Sequence, residues 1–256
     1  MYGLKTLLAG ASFMRSSLGT LVSQGFPFTR HTVSLLFYRR LIPLILAAME
    51  EKLPSLGKLK PWLGYYVSER VIEYTFVVRN LIGSVSRVLD VGCCESLFTH
   101  YLIGKGYDTY ALDIRLCPEI HPKVRFCQAN SWDTPFEDDY FGVIVVVSTI
   151  EHIGLGGYGG PRDKGGDLMT MKELKRILRD DGRILMTLPL GSKYSVGWER
   201  IYDEKRLSKL IEGLTIVYDE VWLRNSNRWI RTRMDQLRSA LDEDRECIAC
   251  MVLTKR

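Results

Sequence analysis

The feature that most constrains the fold of this chain is an alternation of short apolar runs with helical patterns. Apolar runs that predict strands lie at 87–91, 109–113, 124–129, 141–149 and 183–191. Helical patterns separate several of them, at 65–83, 97–106 and 168–180. The run FGVIVVVST is almost continuous, which is typical of a strand covered on both faces. The alternation predicts an α/β fold built on a doubly wound parallel sheet.

Two of the predicted helices carry more specific expectations. The apolar face of the helix at 65–83 is predicted to consist of Val67, Val71, Tyr74, Val78 and Leu81. These residues recur at steps of three and four, the spacing of one helical face. In the helix at 168–180 we expect Asp167 to be the N-cap and Met169 to point inward.

The two ends of the chain complete the domain organisation. After Tyr202 the pattern predicts a short helix, a strand at 214–221, a helix from Trp229 to Leu241 and a final strand at 246–254. Near the start, Pro54, Gly57 and Pro61 mark a linker. We therefore predict a helical N-terminal extension at 1–64 and one larger domain at 65–256.

The charge of the chain is concentrated at its N-terminus. Residues 1–49 hold five of the 35 Lys and Arg residues and none of the 30 Asp and Glu residues. The rest of the chain is neutral, so the sequence predicts no nucleic-acid partner. We expect residues 1–49 to dock on the larger domain or on a protein partner, with contact to a membrane surface as the alternative. No uncharged run in these residues is long enough to span a bilayer.

The six cysteines do not form a paired metal motif. Cys247 and Cys250 have zinc-ligand spacing, but they lie in a predicted strand, which points them to opposite faces. The sequence therefore predicts no metal site. Free thiols are expected instead, and with them a reducing compartment, the cytoplasm.

The stretch VLDVGCCESLFTHYL resembles a nucleotide-binding strand, turn and helix. Gly92 allows a ligand to approach the backbone, and two acids flank it, Asp90 in the first strand and Asp113 at the end of the second. Cys94 and Ser96 replace the later glycines of a G-x-G-x-G loop. A dinucleotide is disfavoured because Glu95 would repel its phosphates, which argues against a nicotinamide oxidoreductase. An acidic rim suits a cationic ligand.

These segments resemble the motifs of class I S-adenosylmethionine-dependent methyltransferases. VLDVGC and YALDIR are similar to the first two motifs, and NSWDTPFEDDYFGVIVVVSTIEHIG to the third and fourth. GCC and STIEHIGLG together resemble an uncharacterised branch of these enzymes. The resemblance implies a Rossmann-like, seven-stranded sheet and S-adenosylmethionine as the cofactor. The cofactor-binding residues that it implies are Asp90, Gly92, Cys93, Cys94, Asp113, Ile114, Asn130, Ser131 and Ser148.

Candidates for the chemistry follow the fourth strand. His152, with Glu151, is predicted either to accept a proton from the methyl acceptor or to line the cofactor site. The glycine-rich segment 154–167 is interpreted as a lid or as a simple connector. Candidate substrate residues are Tyr158 and Arg162 in this segment and the later aromatics Tyr194, Trp198 and Tyr202, whose alternative role is in the core.

The sequence thus predicts a methyltransferase that acts on a small molecule or on a glycan or lipid intermediate, with oxygen as the favoured acceptor atom. Methylation of nucleic-acid bases is disfavoured because STIEH stands where an Asn/Asp-Pro-Pro-aromatic turn would be needed. The alternative hypothesis is a cofactor-binding scaffold of the same fold without catalysis.

Overall fold

The structure is a computed structural model of the 256-residue chain. It describes residues 68–81, 87–96, 98–118, 120–225, 228–232 and 246–256. The N-terminal extension predicted at 1–64 lies outside these residues, as does Val67 of the first predicted helix, so the division into two parts stays a prediction. None of the helices within the described ranges has the length and apolarity needed to cross a bilayer.

The described residues form four α-helices and ten strands, interrupted by two short 3-10 turns. The helices are α1 (Arg70–Asn80), α2 (Phe98–Gly104), α3 (Gly166–Ile177) and α4 (Glu204–Leu210). The strands are β1 (Arg87–Val91), β2 (Asp108–Asp113), β3 (Arg125–Gln128), β4 (Phe141–Val147), β5 (Leu178–Leu190), β6 (Ser195–Val196), β7 (Arg200–Ile201), β8 (Leu214–Asn225), β9 (Arg228–Thr232) and β10 (Cys247–Lys255). The 3-10 turns are Cys93–Glu95 and Ile150–His152.

Eight of the strands form one sheet in the order β3-β2-β1-β4-β5-β10-β8-β9. Strands β1 to β5 run parallel, whereas β10 is antiparallel to β5 and β8, and β9 is antiparallel to β8. The chain builds outward from β1 in one direction and then returns to place β4 on its other side. This creates a topological switch point between β1 and β4, where such sheets bind ligands. The predicted doubly wound α/β fold is confirmed.

The strand count differs from the prediction because of the segment after β8. A helix was predicted from Trp229 to Leu241, and this is wrong for residues 229–232, which lie in strand β9; the rest of the predicted helix, 233–241, lies outside the described residues. Strand β9 pairs with the end of β8, from Asn225 opposite Arg228 to Val221 opposite Thr232. The open edge of β8 provides hydrogen-bond partners that local sequence does not reveal, and the main sheet gains an eighth strand.

Apolar side chains pack on both faces of the sheet. One cluster joins inward residues of β1, β4 and β5, such as Leu89, Ile144 and Met186, to α3 and α4. The other joins alternate residues of the same strands, such as Val88 and Val145, to α1 and α2. Coverage on both faces explains why the sequence of β4 is an almost unbroken apolar run.

The predicted apolar face of α1 is confirmed at Tyr74 and Leu81, which pack against the core, and wrong at Val71 and Val78. Val71 and Val78 are exposed, at 47% and 37%, while Phe76 and Val77 are fully buried. Glu73 is also fully buried on this face, because its carboxylate accepts hydrogen bonds from residues of β5 and of the loop after β4. These long-range contacts rotate the helix away from the face that the spacing suggested.

The prediction that Asp167 is the N-cap of α3 is wrong. The cap is Gly165, and Asp167 lies in the first turn, where it is fully buried. Its two carboxylate oxygens accept bonds of 2.6 and 2.7 Å from the Arg206 guanidinium, so it links α3 to α4. Met169, predicted to point inward, is 36% exposed.

The expectation of free thiols is wrong for two of the cysteines, since Cys94 and Cys117 form a disulfide. Cys93, Cys127, Cys247 and Cys250 are free. Cys247 and Cys250 both lie in β10 and belong to the clusters on opposite faces of the sheet, as the strand prediction requires.

Candidate functional site

A first cavity of about 140 Å³ opens at the carboxyl ends of β1, β2 and β4. Seven of the predicted cofactor-binding residues line it: Asp90, Gly92, Asp113, Ile114, Asn130, Ser131 and Ser148. The segment after the second 3-10 turn covers one side through Gly154, Gly157 and Tyr158. The topology therefore brings together residues that are far apart in sequence.

The loop after β1 is shaped around Gly92. This residue has φ +78°, and a Cβ there would lie 2.5 Å from Cγ2 of Thr149 in the loop after β4. Its N–H donates to the Leu112 carbonyl at 2.8 Å. Ser96 accepts a hydrogen bond from the Phe98 amide at 3.0 Å and so caps α2. Gly92 is required because the loops after β1 and β4 approach each other closely at this point. The positions of the later glycines in a G-x-G-x-G loop, here Cys94 and Ser96, do not require glycine.

The Cys93 and Cys94 side chains do not line the first cavity. Cys94 turns toward Cys117, its disulfide partner, and Cys93 is buried with its Sγ 3.9 Å from that of Cys117. The backbone of Cys94 still reaches the site, because its N–H donates to Asp113 Oδ2 at 3.0 Å. The change from glycine to cysteine therefore leaves the cavity open.

Asp90 is a buried carboxylate with an unused acceptor. It is 2% exposed, and its Oδ2 has no hydrogen-bond partner. The pKa of Asp90 is raised to about 7, mainly by burial and also by the negative charge of Asp113, while a hydrogen bond from Ser96 and the charge of Arg70 oppose the shift. A buried, unsatisfied carboxylate is costly, so this wall of the cavity suits a cationic donor.

Asp113 lies at the end of β2 and is held by two neighbours. Its Oδ1 accepts from the amide and Nε of Arg115 at 2.9 and 3.2 Å, and its Oδ2 from the Cys94 amide. Arg115 also pairs with Glu95 at 2.8 Å and lies over the Tyr158 ring, with its Cζ 4.6 Å from the ring centroid. Arg115 thus links the acidic rim to the segment that covers the cavity.

The far end of the first cavity is formed after β3. Asn130 Oδ1 accepts from the Trp132 amide at 3.4 Å, and the Ser131 and Thr170 hydroxyls are 3.0 Å apart. The Trp132 ring also lines this end. An amide, a hydroxyl and an indole ring are suited to a planar heterocycle.

Ser148 stands at the end of β4 in the left-handed region, with φ +40°. Its amide donates to Thr187 Oγ1 at 3.0 Å, and its hydroxyl donates to Glu73. Glu73 also accepts from Thr187 Oγ1 at 2.7 Å and pairs with Arg70 at 3.1 Å. This buried network holds a backbone conformation that is unfavourable for serine, and it orients Arg70 toward the cavity.

A second cavity, of about 560 Å³, adjoins the first and is the larger of the two. The two share Arg70, Ser148 and His152 on their walls. Four acids line the second cavity, Glu69, Glu151, Glu199 and Glu246, together with the cations Arg70 and Lys193. A molecule in the second cavity would therefore lie next to one in the first, in mostly acidic surroundings.

Glu151 and His152 lie at the junction of the two cavities. The Glu151 side chain is 2% exposed, and burial raises its pKa well above the usual range. His152 Nε2 lies 4.0 Å from Glu151 Oε1 and 3.8 Å from Glu199 Oε2, while Nδ1 is 3.4 Å from the Trp198 carbonyl. Burial lowers the pKa of His152, which favours the neutral imidazole. The structure brings the two predicted catalytic residues to the place where two ligands could meet.

The predicted substrate residues are divided by the structure. Tyr158 lines the first cavity, and Tyr194 and Trp198 line the second. Tyr158 and Trp198 surround His152, with ring centroids 5.6 and 5.9 Å from the imidazole. Arg162 lines neither cavity and packs over Gly156.

Tyr202 is fully buried and cannot contact a substrate. Its hydroxyl lies 3.2 Å from Asp167 Oδ2. This aromatic belongs to the core, the alternative that the sequence left open.

Residues 123–256 match the family described as "Caenorhabditis protein of unknown function, DUF268". The match covers just over half of the chain and runs from just before β3 to the C-terminus. The protein belongs to this family. The DUF268 protein is also 27% identical over 141 residues to the uncharacterized protein MJ0638 of Methanocaldococcus jannaschii. That alignment covers 51% of this chain and 56% of the relative, so the chain spans little more than half of the relative's length.

Solved structures of methyltransferases share the fold of the DUF268 protein. One is 1,6-didemethyltoxoflavin-N1-methyltransferase from Burkholderia thailandensis, with bound 1,6-didemethyltoxoflavin and S-adenosylhomocysteine. Its TM-score is 0.52 at 14% identity, covering 82% of this chain and 88% of that one. Another is N-methyltransferase NodS from Bradyrhizobium japonicum in complex with S-adenosylhomocysteine, with a TM-score of 0.51 at 13% identity, covering 76% and 91%. At these identities the likeness shows the fold alone, and it confirms the predicted class I methyltransferase fold.

Several residues of the DUF268 site were missed by sequence reasoning. Arg70, Tyr74, Arg115 and Trp132 line the first cavity. The one available signal was the charged pair Arg70 and Glu73, three residues apart on a helix that has to cover a sheet. Charges on the covered side of such a helix indicate a buried polar network.

Proposed function

We propose that this DUF268 protein is an S-adenosylmethionine-dependent methyltransferase that holds its cofactor in the first cavity. The observation that carries the proposal is the buried Asp90 Oδ2, which lacks a donor at the switch point of a methyltransferase fold. The methionyl ammonium of S-adenosylmethionine would supply that donor and a compensating charge. When bound, the cofactor supplies a methyl group already activated by the sulfonium.

The remaining polar groups fit the rest of the cofactor. Asp113 would accept hydrogen bonds from the ribose hydroxyls. We expect these hydroxyls to replace the side-chain bonds from Arg115, while the backbone bonds from Cys94 and Arg115 remain. Asn130, with the Ser131 backbone, would flank the adenine, and Trp132 would add a ring surface there.

The second cavity is proposed to bind the methyl acceptor. Its size and its aromatic residues, Tyr194 and Trp198, suit a small molecule or the glycan or lipid intermediate predicted from the sequence. A hydroxyl acceptor must lose a proton when its oxygen takes the methyl group. Glu151 and His152 lie at the junction, where this proton would leave, and we propose that they serve its removal.

Calorimetry tests the cofactor assignment. The protein is titrated with S-adenosylmethionine, S-adenosylhomocysteine and NAD, and we expect binding of the first two only. Asp113→Ala should weaken binding by roughly 10- to 100-fold, because a buried carboxylate loses about 1.5–3 kcal/mol of hydrogen bonding. Asp108→Ala, at the other end of the same strand, is the matched control and should bind normally. Unchanged affinity in Asp113→Ala would reject the ribose assignment.

The second candidate is a cofactor-binding scaffold without catalysis, and one observation favours it. The Arg115 side chain lies against Asp113 and Glu95, so it competes for the acceptors that the cofactor needs. Transfer of a labelled methyl group to members of a panel of sugar, lipid and phenolic alcohols distinguishes the two. Cofactor binding without transfer to any of them would favour the scaffold.

A further inference from the structure

We propose that Glu151, His152 and Glu199 bind a divalent transition-metal ion, such as Mn²⁺ or Zn²⁺, at the junction of the two cavities. The proposed role of the ion in the reaction rests on the proposed function, whereas the site itself is argued from the geometry of the three side chains. The sequence did not suggest it, because Glu199 is remote in the chain and is brought to His152 by the return of the chain through β7.

The three side chains converge on a space of ionic size. One potential ligand atom from each lies within 4.8 Å of the other two. Nε2 of His152 is 4.0 Å from Glu151 Oε1 and 3.8 Å from Glu199 Oε2. These separations are too long for direct hydrogen bonds. They exceed by about 0.5 Å the separation of about 3.4 Å between two tetrahedral ligands that each lie about 2.1 Å from a shared ion, so small side-chain rotations would bring the atoms to bonding distance.

An independent observation at Glu151 points to a missing partner. Its side chain is 2% exposed, and its Oε2 has no hydrogen-bond partner. A carboxylate taken out of water without a partner is strongly disfavoured, so proteins keep such groups next to a cation or in the protonated form. Glu151 lines the second cavity, where an ion has access to it.

The orientation of His152 is that of a metal ligand. Nδ1 lies 3.4 Å from the Trp198 carbonyl, an acceptor that needs the proton on this nitrogen. Nε2 is then the nitrogen with the lone pair, and it faces two carboxylates that also offer lone pairs. Metal-binding imidazoles are held in this way, with the other N–H donated to a carbonyl or carboxylate.

The charges around Glu151, His152 and Glu199 favour the binding of a cation. The positive charge of Arg70 acts on Glu151 and His152, and that of Arg200 acts on His152. Arg70 is paired with Glu73 at 3.1 Å, and Arg200 lies 3.7 Å from Asp167. Both arginines are therefore already paired with carboxylates outside the cluster.

Glu69 and Glu246 add further negative charge at Glu199. The cluster is therefore net negative, and one nitrogen with two carboxylate oxygens is a donor set that divalent transition metals accept.

Such an ion would act on the acceptor. Three protein ligands leave coordination positions open toward the second cavity, and a hydroxyl bound there has a lowered pKa. Its proton passes to water, the oxygen forms a bond to the methyl carbon, and the bond from that carbon to sulfur breaks. The sulfonium becomes a neutral thioether. His152 then contributes as a ligand and not as the base.

The test measures metal binding directly. Full-length protein is treated with EDTA and dialysed, then titrated with Mn²⁺, with bound ion read by electron paramagnetic resonance, and with Zn²⁺ by calorimetry. We expect one ion per chain. Glu199→Gln and Glu151→Gln should each weaken its binding at least roughly 10-fold, because loss of a residue that only orients a metal ligand already costs about 10- to 100-fold.

Asp181→Asn is the matched control, because it removes a carboxylate that is paired with Arg179 at 2.9 Å and that lines neither cavity. It should bind the ion within about twofold of the unaltered protein. Thermal unfolding in EDTA checks that Glu199→Gln is folded, which we expect because Glu199 is 43% exposed. The proposal is overturned if neither ion binds, or if Glu199→Gln and Glu151→Gln bind the ion as tightly as the unaltered protein does.

Cofactor titrations on the same EDTA-treated sample separate the two proposals. Binding of S-adenosylmethionine without binding of either ion would overturn the metal site and leave the proposed function standing. Binding of an ion without the cofactor would do the reverse, and the cation site would stand by itself.

Discussion

The buried carboxylate of Asp90 makes a prediction that couples stability to function. Asp90→Asn keeps the size and shape of the side chain but removes its charge. In the protein without cofactor this charge is buried, and one of its oxygens has no partner. The substitution should therefore stabilise the fold at neutral pH while it weakens cofactor binding.

The magnitude follows from the pKa of Asp90. Burial raises this pKa from 3.8 in the unfolded chain to about 7 in the folded protein. Between these values the folded state holds a proton that the unfolded state has released. The stability of the unaltered protein therefore falls as pH rises from about 4 to about 7, and is level above that. At about 1.36 kcal/mol for each pH unit, the loss amounts to about 4 kcal/mol.

Asp90→Asn lacks this titration, so the two proteins should be about equally stable at pH 4. At pH 8 the variant should be more stable by about 4 kcal/mol, or roughly 10 °C in melting temperature for a domain of this size. Urea unfolding at steps from pH 4 to pH 8 measures the difference. Other buried acids titrate in both proteins and cancel in the comparison.

Cofactor binding should respond in the opposite direction. Loss of a charged hydrogen bond to the methionyl ammonium, about 3 kcal/mol, predicts a roughly 100-fold weaker affinity for S-adenosylmethionine at pH 8. For the unaltered protein, affinity should fall as pH drops below about 7, because Asp90 must lose its proton to bind the ammonium. Asp181→Asn, an exposed aspartate beside Arg179, is the control and should change neither property. Equal stability of Asp90→Asn and the unaltered protein at pH 8 would refute the reasoning.

Two further substitutions test the packing around the site. Gly92→Ala should destabilise the protein by about 2–4 kcal/mol, because the new Cβ would lie 2.5 Å from Thr149 Cγ2 in a left-handed backbone conformation. Urea unfolding should find part of this loss recovered when Thr149→Ala is added; strictly additive effects would contradict the contact. Asp167→Asn should cost about 3–5 kcal/mol in the same assay, because Arg206 and the buried Arg200 lose their carboxylate. A loss below about 1 kcal/mol would mean that this ion pair does not hold α3 to α4.

Local sequence was sufficient for the elements whose pattern is determined by burial. The apolar run of β4 can be interpreted in only one way, because a strand covered on both faces exposes no polar side to solvent. The acids Asp90 and Asp113 stand at the ends of parallel strands, and the sheet topology brings such ends to one edge. For this reason the sequence motifs correctly predicted seven of the residues that line the first cavity.

Other features depended on contacts between distant residues. The rotation of α1 was decided by Glu73, whose partners Ser148 and Thr187 lie on other elements. Strand β9 exists because β8 offers it an open edge. The meeting of Glu199 with Glu151 and His152 likewise arises from the course of the chain.

The sequence by itself determined the doubly wound sheet and the acids at its edge, because hydrophobic periodicity and residue order encode both. Only the tertiary structure decided which helix face is covered, how Arg115 contacts Asp113, and that a histidine lies between two carboxylates. The physical reason is that a hydrogen bond or ion pair forms when two groups reach the same place. Residue spacing along a chain does not specify that place until the whole fold has closed.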